Sequence, residues 1–283
     1  MRLVAFRKRL LFLIKKGVAM TNIYKKRFQN KYFFLSCILI FVISIISYLV
    51  TSQFLRILLV QKCPAESKHR LLDQLLYWEF WLSNGTMYNI NIFPLYAIIP
   101  VIPFYTELKT IFKLGANRFK SRKQELYKSI FTYGILGGGA LSLGFYLYLL
   151  LGSYLCLPQL SSLGGFESIF HYQLYHQHPF LFLTFMCFTM YFLFGFLFAI
   201  MTCGVILCFE NRITAILFPM LIYVAFSYLG FGLNLRVLQV STCTTVFCTE
   251  YSTLQCFVPL LSLFCTDLLF IILGVKKNEK IVL

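Results

Sequence analysis

The chain has 283 residues, of which 59% are apolar and only 13% charged, with a mean hydropathy of +0.76. Soluble domains run at about 45–50% apolar and about 25% charged, so a soluble enzyme and an intrinsically disordered chain are both excluded. The apolar residues stand in continuous blocks and do not alternate, which favours membrane helices over a β-barrel. The expected fold class is an all-α polytopic membrane protein.

Lys and Arg number 26 against 10 Asp and Glu, a formal net charge of +16. In a soluble chain that excess would point to nucleic acid. Here the cations are confined to particular loops, so they are read as orientation signals and no nucleic-acid partner is expected.

In chain order, residues 1–31 form a basic interfacial segment. Leu3, Val4, Phe6, Leu10, Leu11, Leu13 and Ile14 interleave with Arg7, Lys8, Arg9, Lys15 and Lys16. That spacing suits an amphipathic helix on the anionic inner leaflet. No cleavable signal pattern follows. Met20 offers a second start, and Tyr24-Lys25-Lys26-Arg27 would still lie at the interface without the first 19 residues.

About 20 apolar residues cross a bilayer core, and six blocks approach that length. They are residues 33–55, 88–104, 130–151, 179–209, 213–230 and 257–275, within a transmembrane domain over 32–275. The second is short and holds Pro94, Pro100 and Pro103; the sixth is interrupted by Asp267. The fourth and fifth are joined only by Glu210-Asn211-Arg212 and should form an antiparallel hairpin. Residues 276–283 are a tail.

Loop charge sets the orientation. Ten Lys/Arg fall in residues 1–31, seven in 105–129, one at Arg212 and three in the tail. The alternate loops hold Arg56, Lys62, Lys68, Arg70 and Arg236, and loop 152–178 holds none. This places both termini in the cytoplasm of a multi-pass plasma-membrane protein.

Loop 105–129 is the most informative polar piece. Glu107, Ile111 and Leu114 recur at helical spacing. Gly115 and Asn117 break the pattern, and a second helical stretch enters the third span. Such a charged helix–turn–helix reads either as a docking element for a protein partner or as a plain retention loop. Gly137-Gly138-Gly139-Ala140 and Gly144 suit close helix packing. Asp267 falls near the middle of its span, where an ionisable group faces a cavity or a partner. His171, His176 and His178 lie in an outer loop without ligand-spaced Cys or carboxylates, so no metal site is expected. Of ten cysteines, Cys37, Cys187, Cys203, Cys208 and Cys265 fall in spans and act as small apolar residues. Cys63, Cys156, Cys243 and Cys248 lie outside and Cys256 near a boundary, where a disulfide is compatible with an oxidising exterior. Loop 231–256 is too short to span twice and reads as a re-entrant or surface-lying segment.

No phosphate loop, H-E-x-x-H or G-x-S-x-G motif is present. The chain is therefore not expected to be an enzyme or to bind a cofactor itself. Energy for transport must come from another subunit or from an ion gradient. A single charge within the spans is sparse for an ion-coupled carrier, which favours an externally powered permease.

The run from Arg118 to Gly139 joins a basic cluster, Tyr127-Lys128 and a glycine-bearing span. It resembles the intracellular loop and third helix of ABC type 2 permeases, the membrane subunits of bacterial ATP-binding-cassette exporters, in particular a Gram-positive group. His178-Pro179 through Tyr191, Gly195 and Phe198 to Glu210-Asn211-Arg212 and Phe218-Pro219 is similar to the fourth and fifth helices of that group. The resemblance implies two six-helix permease subunits, a homo- or heterodimer, working with two cytoplasmic ATPase subunits that bind ATP and Mg. It makes the basic N-terminus a connecting helix and loop 105–129 the coupling helix, with Glu107, Lys109, Lys113, Arg118, Arg122, Lys123 and Glu125 at the ATPase contact. Loop 231–256 would cap the pathway. Two other readings stand beside this one: a membrane immunity or sensor protein without transport, and an ion-coupled carrier that uses Asp267.

Overall fold

The computed structural model describes residues 30–59, 65–113, 121–157, 177–244 and 257–280. It is built of helices, with no strand among the described residues. In chain order these are α1 (Lys31–Thr51), α2 (Phe54–Leu59), α3 (Ala65–Leu75), α4 (Trp78–Thr86), α5 (Phe93–Ile98) and α6 (Ile102–Glu107). Then come α7 (Arg122–Leu155), α8 (Pro179–Met186), α9 (Phe192–Phe209), α10 (Arg212–Gly232) and α11 (Val258–Lys280). Short 3-10 turns cover Ile99–Val101, Arg236–Leu238 and Val240–Thr244, and wider π turns cover Leu108–Lys113 and Cys187–Tyr191.

Among the described residues, five helical runs are long and apolar enough to cross a membrane: Lys31–Thr51, Lys123–Leu155, Pro179–Phe209, Arg212–Gly232 and Val258–Asn278. This is the build of a multi-pass membrane protein. The runs correspond to the first, third, fourth, fifth and sixth expected blocks. The third begins about two turns before Ile130, because Ser121 caps it: the Gln124 N–H donates to the Ser121 hydroxyl at 3.4 Å. The fourth is one rod widened by the π turn at 187–191, where Ser142 donates to the Cys187 carbonyl at 2.9 Å. Glu210 takes a left-handed backbone (φ 51°) to end α9, and the Asn211 side chain accepts from the Ile213 N–H at 3.0 Å to start α10. The expected hairpin between the fourth and fifth blocks is thus formed.

The second block is not one long helix. Pro94, Pro100 and Pro103 each open a new short helical turn, so residues 93–113 change geometry at every proline. The run keeps company with α1 in the opposite direction. Ser47 donates to the Asn84 carbonyl, Asn89 Nδ2 to the Ser44 hydroxyl (3.0 Å), Ser36 to the Tyr96 carbonyl (2.6 Å), and Asn30 Nδ2 to the Pro100 carbonyl (2.8 Å). Residues 84–100 therefore descend the full length of α1. Ser36 and Ser47 of α1 thus donate to carbonyls of this run, and the Tyr96 carbonyl is one that Pro100, four residues on, has no N–H to fill.

The long helices pack through small residues. A methyl at Gly137 would overlap Ala199 and lie 2.9 Å from the Ala97 carbonyl oxygen; one at Gly138 would lie 2.6 Å from the Phe192 carbonyl oxygen. Gly144 likewise seats Ile40 of α1. The packing role expected for this stripe holds at these three positions, whereas a methyl at Gly139 would meet only Phe33, at 3.6 Å. Helices α7 and α9 are antiparallel. Helices α9 and α11 run parallel: Gly204 abuts Phe270 and Ile271, and Leu207 abuts Gly274.

The core divides in two. Toward the Thr51 end, Phe93 is fully buried among Phe145 (5.0 Å between ring centres), Tyr191 (5.1 Å) and Phe194 (5.3 Å). Trp81 stacks on Tyr148 at 4.7 Å, on the wall that α4 adds to the bundle. Toward the Asn30 end, Phe104, Leu108, Phe112 and Tyr133 close a second cluster.

Loop 231–256 is surface-lying only in part. Its described half folds as the two 3-10 turns against α10 and α11, and Val240 and Cys243 are fully buried. Helices α2 to α4 between the first two blocks have no counterpart in the sequence reading.

Candidate functional site

Two places bring chemistry together. The first is the end of the bundle where α1 and α7 begin, α6 ends, α10 begins and α11 ends. Lys31, Lys109, Lys123, Lys128, Arg212, Lys276 and Lys277 all cluster at this end. Among described side chains, the opposite end carries Arg56, Arg70 and Arg236 as cations. Among the described side chains the cations are thus divided unevenly between the two ends.

At this basic end the Tyr105 ring holds two cations, the Lys109 ammonium at 4.6 Å and the Arg212 guanidinium at 4.8 Å. Arg212 also donates to the Thr106 hydroxyl at 3.2 Å. Glu107 is half-buried and accepts from the Tyr133 hydroxyl of α7 at 2.9 Å. The segment 105–109 is thereby fastened to both α7 and α10. Removing the hydroxyl, as in Tyr133→Phe, is expected to lower stability by about 1–2 kcal/mol, read as a shift in the unfolding midpoint of the detergent-solubilised protein.

Of the residues expected at an ATPase contact, Lys109 and Lys123 are exposed. Glu125 pairs with Lys128 at 2.9 Å on the α7 surface, a solvated pair of little energetic weight. Glu107 is drawn inward by Tyr133, so its carboxylate belongs to the bundle as much as to the surface. Arg118 lies outside the described residues, and Lys113 and Arg122 are described only as backbone. Tyr105, Thr106 and Tyr133 were not among the expected site residues. Nothing in sequence spacing ties a tyrosine at 105 to an arginine at 212.

The second place is the seam between α9 and α11. Asp267 is 2% exposed, and neither carboxylate oxygen has a hydrogen-bond partner among the described residues. It shares one face of α11 with Leu263, Phe270, Ile271, Gly274 and Asn278, the face applied to α9. The register set by Gly204 and Leu207 puts Asp267 level with Ile200. The seam is close-packed below it: a methyl at Gly274 would lie 2.5 Å from Leu207 Cβ, and one at Gly204 2.8 Å from Phe270 Cβ. At its basic end Asn278 Nδ2 donates to the Leu207 carbonyl at 3.1 Å, and Lys277 donates to the Cys208 carbonyl. These two side chains fill the last carbonyls of α9. The tail cations counted as orientation charges thus include a helix cap.

His178 sits immediately before α8 and its carbonyl accepts from the Phe182 N–H at 3.1 Å, so it marks the start of that helix. His171 and His176 lie outside the described residues, as do Cys63, Cys248 and Cys256. No metal-binding group of His, Cys, Asp or Glu is found among the described residues. Cys156 is a free thiol. Burial pushes the Cys156 thiol up to about 12, with the Glu79 charge adding to the effect.

The architecture is that of a multi-pass helical membrane protein whose cations, among the described side chains, lie mostly at one end. The chain matches no protein-family model, and no curated protein or solved structure matches it.

Proposed function

We propose that the chain is the transmembrane permease subunit of an ATP-binding-cassette exporter, acting in a pair and powered by a separate cytoplasmic ATPase that binds ATP and Mg. The observation that carries this reading is the fastening of segment 105–109 to the bundle. Glu107 grips Tyr133 of α7, and Arg212 of α10 grips Thr106 and Tyr105. A push on this segment is delivered to two long helices at once, which a coupling element requires. Exposed Lys109 and Lys123 beside it offer cations to an acidic partner surface, with Lys113, Arg118, Arg122 and Glu125 completing the contact.

The same reading takes the chain through the plasma membrane six times with both termini inside. Its support is the antiparallel course of residues 84–100 along the whole of α1: if α1 crosses the bilayer, the broken run crosses back. Reporter fusions at residue 118 should then report the cytoplasm, and fusions within 158–176 the exterior.

The deciding experiment is purification from native membranes with ATPase activity as the readout. The wild-type chain should carry a Walker-type ATPase with it and stimulate its turnover. Lys109→Glu together with Lys123→Glu should abolish both, because each reversal places like charges across the contact. Association and stimulation that survive the double reversal would refute the coupling role. Ion-coupled carriage through Asp267 is the second reading, favoured by a buried carboxyl without a partner among the described residues; it predicts that Asp267→Asn stops transport while ATPase binding is intact.

A further inference from the structure

A carboxylate stripped of water and left without a hydrogen bond or counter-charge is destabilised by several kcal/mol. Asp267 meets that description on every count: it is 2% exposed, and both oxygens lack a partner among the described residues. The groups around it offer no remedy. Helix α9, which covers it, carries Cys203 and Cys208 as its only titratable side chains, and Cys208 gives its thiol to the Phe270 carbonyl. On α11 itself, Cys265 is exposed, Lys276 is exposed, and Lys277 is engaged by the Cys208 carbonyl. From α10, Arg212 is committed to Tyr105 and Thr106, and Tyr223 donates to the Ile90 carbonyl. From α7, Tyr133 donates to Glu107 and Lys128 to Glu125. In the 3-10 turns, Arg236 is exposed and Cys243 is in the core. The seam is closed by glycine-mediated backbone contact at Gly204 and Gly274, which leaves little room for a bulky ligand.

We propose that the α9–α11 seam is a proton-binding site centred on Asp267, and that the closed seam seen here is its proton-loaded state. Water supplies the proton and the carboxylate becomes a neutral carboxyl that an apolar seam accommodates. When the proton returns to water, the charge reappears and must be hydrated, so the two helices part at this level. Asp267 is then a two-state element biased by proton concentration. The inference holds for an ATP-driven permease and for an ion-coupled carrier alike. Its test reads neither transport nor ATPase activity, so its failure is separate from theirs.

The test uses the full chain in phosphatidylcholine vesicles, followed by infrared absorption and by backbone hydrogen exchange. At neutral pH the wild type should show the carbonyl stretch of a protonated carboxyl, absent in Asp267→Asn and retained at a shifted frequency in Asp267→Glu. In alkaline medium that band should vanish. Over residues 263–274 the wild type should then exchange about tenfold faster than Asp267→Asn, whereas the two should match in mildly acidic medium. Folded wild type with no Asp267-dependent band at neutral pH overturns the proton assignment. A wild-type to Asp267→Asn exchange ratio that stays constant with pH overturns the opening. Should Asp267→Asn fail to fold, the frequency shift in Asp267→Glu decides the assignment.

Discussion

Gly137→Val should be among the most damaging single changes in the bundle, lowering stability by about 3 kcal/mol. The added carbons would press on the Ala199 methyl and on the Ala97 and Gly195 carbonyl oxygens. None of these is the loose end of a flexible side chain, so α7 has to move away from α9 and from the broken run together. Unfolding midpoints in detergent should show the loss, and Gly139→Ala provides the control. Its methyl would meet only Phe33 at 3.6 Å, so it should change stability by no more than about 0.5 kcal/mol. Equal effects at 137 and 139 would mean that helix propensity, not close approach, explains the glycines.

Asn89→Leu should be of similar severity, about 2–4 kcal/mol. Asn89 is fully buried and ties three elements together. Its amide donates to the Ser44 hydroxyl at 3.0 Å and to the Gly85 carbonyl at 2.8 Å, and its carbonyl accepts from the Tyr96 hydroxyl. Leucine would leave all three groups unfilled where no water reaches them. Asn91, two residues on, is exposed. Asn91→Leu should be nearly neutral, and thermal unfolding of the two variants side by side checks the contrast. A mild Asn89→Leu would mean that these three groups find other partners.

The long helices were legible because an apolar block of bilayer length has one low-energy conformation in lipid. Pro179–Phe209 and Arg212–Gly232 fall within two residues of the expected bounds. The glycine stripe was legible too, since small residues inside an apolar rod have few other uses. The broken run was harder. Its prolines announced a disturbance at 94, 100 and 103, but the partner that fills the freed Tyr96 carbonyl lies in α1, whose serines look like filler in a sequence. A serine in a membrane helix can bond its own preceding turn, so spacing alone does not say whether Ser36 or Ser47 reaches across. Helices α2 to α4 were missed for a different reason: they are short, and the Trp81–Tyr148 stack that holds α4 joins residues far apart in the chain. For the candidate sites, the positions of charge were visible and their partners were not. Asp267 was plainly an acid among apolar residues, yet only the fold reveals that its carboxyl has no partner among the described residues; Glu107 was plainly at the mouth of a basic loop, yet only the fold turns it toward Tyr133.

The serine-lined course of residues 84–100 along α1 also bears on how the chain enters a bilayer during synthesis. A proline-broken segment is a weak signal to the insertion machinery, because its exposed carbonyls resist leaving water. If that segment crosses the bilayer as proposed, α1 leaves the ribosome first and is already seated when it arrives. It brings Asn30, Ser36, Ser44 and Ser47 as a ready-made ladder of hydrogen-bonding side chains. Under the six-crossing course proposed above, the first helix acts as a template for this run and the pair integrates as one unit.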